Sequence, residues 1–165
     1  MQLQQVNEHL VRTASRSLLA DTCGSTVVAL IVRGERLAVL WAGDSRAYRW
    51  RGGSLDQLTR DHSAAAGGIG APESTAITRA VGAEATLSLD VVWNDIQPGD
   101  RYLLCSDGLT RTVTDVQLAA GVGTSDLRGA VDGLLSESLA AGAPDNVTLL
   151  IAEAAASESA ALLDA

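Results

Sequence analysis

Lysine is absent from this 165-residue chain: all twelve basic residues are arginines, and the formal net charge is −8. No basic run exists, so a surface that tracks nucleic-acid phosphates is not expected. Cysteine is scarce. Cys23 and Cys105 sit in no CxxC pair, which argues against a disulfide framework or a thiolate zinc site and fits a reducing cytoplasm. The two histidines, His9 and His62, are far apart and form no HExxH pattern, so a histidine-rich metal centre is not expected either. No apolar run reaches the ~18–20 residues that a membrane-spanning helix requires. Met1-Gln2-Leu3-Gln4-Gln5 lacks the basic start and apolar stretch of a secretory signal. What the chain has in excess is carboxylate, the ligand type of hard cations.

The apolar pattern divides the chain into short elements. Leu3, Val6, Leu10 and Ala14 recur at helical steps and predict an amphipathic helix over residues 3–19. The runs Thr26–Val32 and Leu37–Ala42, separated by Arg33-Gly34-Glu35-Arg36, read as two strands buried on both faces. A more polar strand follows over Arg46–Arg51, then a short one around Leu55–Leu58, and residues 59–75 read as a flexible loop. Leu87, Leu89 and Val91 alternate as a strand, and Pro98-Gly99-Asp100 turns into the apolar strand Tyr102–Cys105. Thr114 with Gln117 makes a capping box for a short helix. Leu127, Val131, Leu134 and Leu135 mark a longer helix ending near Gly142, and Val147–Ile151 is a last buried strand. Strands in hairpins, with helices whose apolar stripes need a sheet to cover, predict an α+β layered domain with a sandwich core. Residues 1–152 form the expected domain and 153–165 a loose tail. The tryptophans and cysteines read as core or rim packing.

Three aspartates share one local setting. Asp44 follows a strand in Gly43-Asp44-Ser45-Arg46, Asp107 follows another in Ser106-Asp107-Gly108-Leu109, and Asp145 precedes a third in Pro144-Asp145-Asn146. Singly, each is more simply a turn residue that bonds its own backbone. Together, carboxylates at strand ends can converge on one rim of a sheet, and all-oxygen ligands suit Mg²⁺ or Mn²⁺ far better than zinc.

Read in order, the chain carries Gly24-Ser25-Thr26, Ala42-Gly43-Asp44-Ser45-Arg46-Ala47-Tyr48, Leu58-Thr59-Arg60-Asp61-His62-Ser63 and Ile77-Thr78-Arg79-Ala80-Val81-Gly82. Pro98-Gly99-Asp100, Leu103-Leu104-Cys105-Ser106-Asp107-Gly108-Leu109 and Asp145-Asn146-Val147-Thr148 follow. In order and spacing these blocks resemble the metal-dependent, PPM-type bacterial protein serine/threonine phosphatases, over about residues 20–152. The resemblance implies a four-layer αββα sandwich that here lacks its N-terminal strands. It implies a centre of two Mn²⁺ or Mg²⁺ ions with a possible third. By its match to the family motif, Asp107 and Asp145 would bind the second metal. Asp44, with Asp107, would hold the third. Gly108 and Asn146 would support the site, Asn146 by orienting the Asp145 loop. Arg46 would tie down its hairpin, and His62 would have a structural hydrogen-bonding role. No residue matches the family's proposed general-acid histidine.

The resemblance also implies hydrolysis of phosphoserine and phosphothreonine by metal-activated water. It implies phosphoprotein substrates, a cognate bacterial serine/threonine kinase as the opposing activity, and a kinship with phosphatases that accompany secretion machinery. Two blocks of the family, an Arg/Asn-Glu-Asp block and an Asp-Gly-x-Gly-Gly block, do not occur in the sequence. They would supply a phosphate-binding arginine, the aspartate that bridges both metals and a carbonyl ligand. Activity of this chain alone is therefore expected to be impaired. The alternative is a pseudophosphatase that binds phosphoprotein or a regulator, and an unrelated α+β sensor domain is a third reading.

Overall fold

The structure, a computed structural model, describes residues 2–16, 23–64, 66 and 76–155. In chain order its elements are α1 (Gln2–Arg16), β1 (Val27–Arg33), β2 (Arg36–Ala42), β3 (Arg46–Arg51), β4 (Ser54–Gln57), β5 (Asp90–Asp95) and β6 (Arg101–Cys105). α2 (Asp107–Thr110), α3 (Asp115–Val122), α4 (Leu127–Ala140) and β7 (Leu149–Glu153) complete the set.

The two apolar runs either side of Gly34 fold back as a hairpin, paired from Val27 against Ala42 to Arg33 against Arg36. β5 adds to the other side of β2, giving a three-stranded sheet in the order β1-β2-β5. The second sheet has the order β4-β3-β6-β7, and every pairing in both sheets is antiparallel. Two cores follow from the period-two alternation of side chains along these strands. Leu37, Val39 and Trp41 of β2 meet Ala47 of β3 and Tyr102 of β6 between the sheets. On the opposite face of the second sheet, Tyr48, Leu103 and Cys105 pack against Leu109, Val113, Leu118, Val122 and Leu134 from the helical segment. Leu103, Leu109 and Leu118 are completely buried; each such side chain contributes about 1.5–3 kcal/mol. On the far side of the first sheet, α1 is tied down by Asn7. Its Oδ1 accepts from the Gly82 amide at 2.7 Å, and its Nδ2 donates to the Glu84 carbonyl at 2.8 Å. The layers are thus α1, sheet, sheet and α3 with α4, the expected αββα arrangement.

Several local expectations hold closely. β3 matches its expected span, and α3 begins with the Thr114/Gln117 capping box. Others are corrected. β1 is not buried on both faces: it is an edge strand of its sheet, and Ile31 and Val32 are more than half exposed. Leu87 and Leu89 precede β5, which starts only at Asp90. Trp93 faces solvent on β5, and Cys23 is exposed. β7 runs one residue into the expected tail, through Glu153, which pairs with Arg101 at 2.6 Å. Most of the loop expected over 59–75, and residues 156–165 of the tail, lie outside the described residues. Among the described residues no helix is long and apolar enough to cross a membrane.

Candidate functional site

Arg46, Cys105 and Leu149 lie side by side across β3, β6 and β7. The chain enters β3 at Arg46, leaves β6 at Cys105 and enters β7 at Leu149. In an antiparallel sheet those three events fall at the same rim. Asp44 lies just before the first, Asp107 just after the second and Asp145 shortly before the third, so the topology gathers the three aspartates that the sequence singled out.

Asp107 opens the one-turn helix α2, and Arg111 follows one turn later. The Arg111 guanidinium reaches both neighbouring carboxylates: Nη2 lies 2.6 Å from Asp107 Oδ2, and Nη1 lies 3.8 Å from Asp145 Oδ2. Asp44 belongs to the same electrostatic neighbourhood. Its carboxyl is raised above its ordinary value, first by burial and next by the negative charge of Asp107, with Asp61 adding to the rise; its own backbone hydrogen bond and Arg111 oppose it.

The Asp145 loop is held against α2 by backbone contact. Gly108 has no side chain at the point where the Asn146 carbonyl arrives; a Cβ there would stand 2.4 Å from that oxygen. Ser106 then clamps the loop. Its hydroxyl donates to the Asn146 carbonyl at 3.2 Å and accepts from the Thr148 amide at 3.0 Å, while the Ser106 amide donates to the Thr148 carbonyl at 2.9 Å. Asn146 thus takes part in orienting the loop through its backbone, and its own amide donates to Asp145 Oδ1 at 2.7 Å.

The Asp44 turn is held from behind by His62. The Gly43 amide donates to His62 Nδ1 at 3.2 Å, and the His62 amide donates to the Gly43 carbonyl at 2.9 Å. An accepting Nδ1 leaves the Nε2–H free to donate to Asp90 Oδ2, 3.1 Å away. The ring stacks on Trp41 at 6.0 Å. Gly43 itself has φ +116°, a left-handed backbone, and a Cβ there would run into Thr26. Arg46 grips Asp61 through two parallel bonds, Nε to Oδ1 at 2.9 Å and Nη2 to Oδ2 at 2.8 Å, a fork geometry that fixes the start of β3. Both His62 and Arg46 serve the scaffold of the turn. Burial pushes the Cys105 thiol up to about 12, as befits packing and not nucleophilic chemistry.

The donor chemistry fits a hard divalent cation. Two negative carboxylates close enough for Asp107 to raise Asp44 repel each other, and a cation relieves that repulsion. Among the described residues, however, no three His, Cys, Asp or Glu side chains stand close enough to form one metal cluster. Sequence reasoning missed Arg111 and Ser106. The i, i+4 spacing of Asp107 and Arg111 was a usable signal; the bonds of Ser106 to a loop some forty residues away were not.

The fold has counterparts among known proteins. The family model "Protein phosphatase 2C" matches residues 2–67. PppA, described as a key regulatory component of T6SS in Pseudomonas aeruginosa, is 43% identical with a TM-score of 0.84, over 90% of this chain and 65% of that one. The PPM Ser-Thr phosphatase MsPP from Mycobacterium smegmatis, solved with cacodylate, is 31% identical with a TM-score of 0.80, over 92% of this chain and 70% of that one. The catalytic domain of the serine/threonine protein phosphatase PstP, solved in complex with two manganese ions, is 29% identical with a TM-score of 0.80, over 91% and 67%. The chain therefore spans about two thirds of the length of these relatives. By the identity and coverage of its match to MsPP, and by the sandwich it shares with all three, the chain belongs to the PPM family of serine/threonine phosphatases.

Proposed function

We propose that this chain contributes to metal-dependent hydrolysis of phosphoserine and phosphothreonine in proteins, with Asp107, Asp145 and Asp44 as its ligands for Mn²⁺ or Mg²⁺. The observation that carries this reading is the meeting of Asp107 and Asp145 on one guanidinium, with Asp44 electrostatically coupled to Asp107, at the rim where three strands begin or end. Membership of the PPM family supports it, as does the pair of manganese ions in the PstP relative.

Phosphate monoesters hydrolyse extremely slowly unaided, so a catalyst must supply a nucleophile and neutralise developing charge. Divalent ions, when bound, supply Lewis acidity and a water made nucleophilic near neutral pH. The chain's own residues do the positioning. Asp107 and Asp145 present negative oxygens at the rim, Ser106 and the bare Gly108 keep their two loops together, and His62 braces the Asp44 turn. Such fixed placement is a large part of the barrier reduction in phosphoryl transfer. Phosphorylated proteins are the substrates in this reading, with a cognate bacterial serine/threonine kinase as the opposing activity and the cytoplasm as the compartment. The 43% identity to PppA supports a role beside a secretion apparatus.

A phosphothreonine peptide assayed with and without millimolar Mn²⁺ tests the proposal. The expected result is low, Mn²⁺-dependent turnover by this chain, lost in Asp107→Asn. Turnover should rise when a segment carrying the family's Asp-Gly-x-Gly-Gly block is supplied in trans or fused to the N-terminus. Absence of any metal-dependent turnover in both forms overturns it. A second reading, a pseudophosphatase that binds phosphoprotein or a regulator without hydrolysis, draws on the ion pair by which Arg111 already neutralises Asp107. That reading is favoured if the phosphopeptide binds and is never cleaved.

A further inference from the structure

We infer that Arg111 is a tethered counter-cation that competes with divalent metal for Asp107 and Asp145, and so sets the metal concentration at which the site loads. The inference rests on the metal reading of those carboxylates and adds a regulator to it. Three observations carry it. Arg111 Nη2 and Asp107 Oδ2 stand 2.6 Å apart, a full charge-assisted contact, so the guanidinium uses an oxygen that a metal would need. Its Nη1 extends towards Asp145 Oδ2 at 3.8 Å, so the same cation spans both expected ligands. Finally, the contact is built into the helix. Asp107 and Arg111 lie at i and i+4 of one turn, and the Arg111 amide also donates to the Asp107 carbonyl at 2.9 Å, so the backbone keeps the arginine beside its partner. No other arginine pairs with either carboxylate among the described residues.

The physical consequence is an exchange of one cation for another. An arriving Mn²⁺ or Mg²⁺ must either displace the guanidinium from Asp107 or share the carboxylate with it, and the two positive charges then repel at short range. This opposition yields to metal concentration and to screening. The side chains of Arg111 and Asp107 are 38% and 24% exposed, so solvent screens the pair in part and the opposition is modest. A site guarded in this way loads when metal rises and releases it when metal falls, with a threshold above that of the bare carboxylate pair.

The experiment is a calorimetric titration of the full chain with Mn²⁺ at low and at high ionic strength, for the parent, Arg111→Gln, Arg111→Lys and Asp107→Asn. The expected result is that Arg111→Gln binds Mn²⁺ roughly two- to fivefold more tightly than the parent at low salt, the bias expected of a partly screened ion pair. Arg111→Lys, which keeps the charge, should stay near the parent. The gap between parent and Arg111→Gln should narrow near 1 M salt, where the screening length falls to about 3 Å. A purely structural role for Arg111 would change the melting temperature and leave this salt-dependent gap absent. Equal affinities for parent and Arg111→Gln, with binding still lost in Asp107→Asn, overturn the role of Arg111 and leave the metal site standing. If neither the parent nor Arg111→Gln binds Mn²⁺, the metal reading fails and the inference falls with it. The lysine variant keeps the test decisive should the glutamine variant fold poorly: an affinity for Mn²⁺ tighter in Arg111→Lys than in the parent would also overturn it.

Discussion

Gly108 and Asn146 touch through backbone alone: a Cβ on residue 108 would lie 2.4 Å from the Asn146 carbonyl oxygen and 3.0 Å from its carbon. This contact is what brings the turn after β6 and the loop before β7 to within reach of one arginine. The glycine is required for close approach here and not for a left-handed backbone, since its φ is not positive. Alanine at 108 must therefore push the Asn146 backbone away. We expect Gly108→Ala to cost about 1–3 kcal/mol, as overpacking against an unyielding neighbour does, and to lower the melting temperature by about 3–10 °C for a domain of this size. Because the displaced loop carries Asp145, Mn²⁺ affinity should fall as well. Thermal unfolding and metal titration of the same variant check both; unchanged values in each would mean that the contact can relax freely.

The second prediction concerns the ligands themselves. Few carboxylates hold a hard cation loosely, so the chain should bind Mn²⁺ weakly. Asp107→Asn and Asp145→Asn should each lower that affinity, with a roughly tenfold or greater loss in the double variant. Paramagnetic broadening of the amide signals around the rim measures this directly. Broadening of the double variant at the same Mn²⁺ concentration as the parent would remove these two residues from the site.

What the sequence made legible, and what it hid, divides along physical lines. β2 and β3 could be read because a local apolar run, or a local polar stretch, and the turns that flank it decide them. The Thr114/Gln117 cap was legible because its partners are three residues apart. β1 was misjudged since its run of apolar residues looks the same as that of β2; only the order β1-β2-β5 reveals that one strand is central and the other an edge. The aspartates stood out as a set because each flanks a strand. Their convergence depends on which strands are neighbours, a property of the whole sheet. α2 is a single turn, too short to leave a periodic trace, and with it Arg111 escaped notice. Asp100 was read only as a turn residue, although its side chain is completely buried.

That burial gives the third prediction. Asp100 accepts from Arg51 Nε at 2.6 Å and Nη2 at 2.5 Å, from the Gln97 amide at 2.8 Å and from the Tyr102 hydroxyl at 2.9 Å. Burial alone would raise its carboxyl, but Arg51 first, then Gln97 and Tyr102, hold it down to about 2. In the unfolded chain the same group titrates near ~3.9. A folded-state value below the unfolded one means that the stabilisation is complete above about pH 4 and is lost as the pH falls towards 2; the difference amounts to roughly 2–3 kcal/mol. Urea unfolding from pH 6 down to pH 2 should show this acid limb. Asp100→Asn should lack that share of it, and at pH 7 should be less stable by about 2–4 kcal/mol, because Arg51 loses its charged partner. An acid limb of the same depth in the variant would locate the acid sensitivity elsewhere.

The last prediction follows from two of the edge strands, β1 and β7. β1 ends one sheet and β7 ends the other, and each has hydrogen-bonding groups along one edge that no strand among the described residues satisfies. Apolar side chains accompany both edges: Val32 on β1 is 57% exposed and Leu150 on β7 is 55% exposed. Val32 stands opposite Leu37, and Leu150 opposite Leu104, residues that pack between the sheets, so both point into the side of the sandwich that lies open. Open strand edges with apolar neighbours template pairing with another chain. We therefore expect the isolated chain, 17.0 kDa as a monomer, to associate reversibly at tens of micromolar, with light scattering after size-exclusion chromatography reporting a mass above the monomer. Val32→Lys and Leu150→Lys together should shift it towards the monomer. Each replaced side chain is already more than half in water, so the melting temperature at low protein concentration should change little. Association that persists unchanged in the double variant would rule out these edges as its cause. A parent chain that stays strictly monomeric would overturn the prediction.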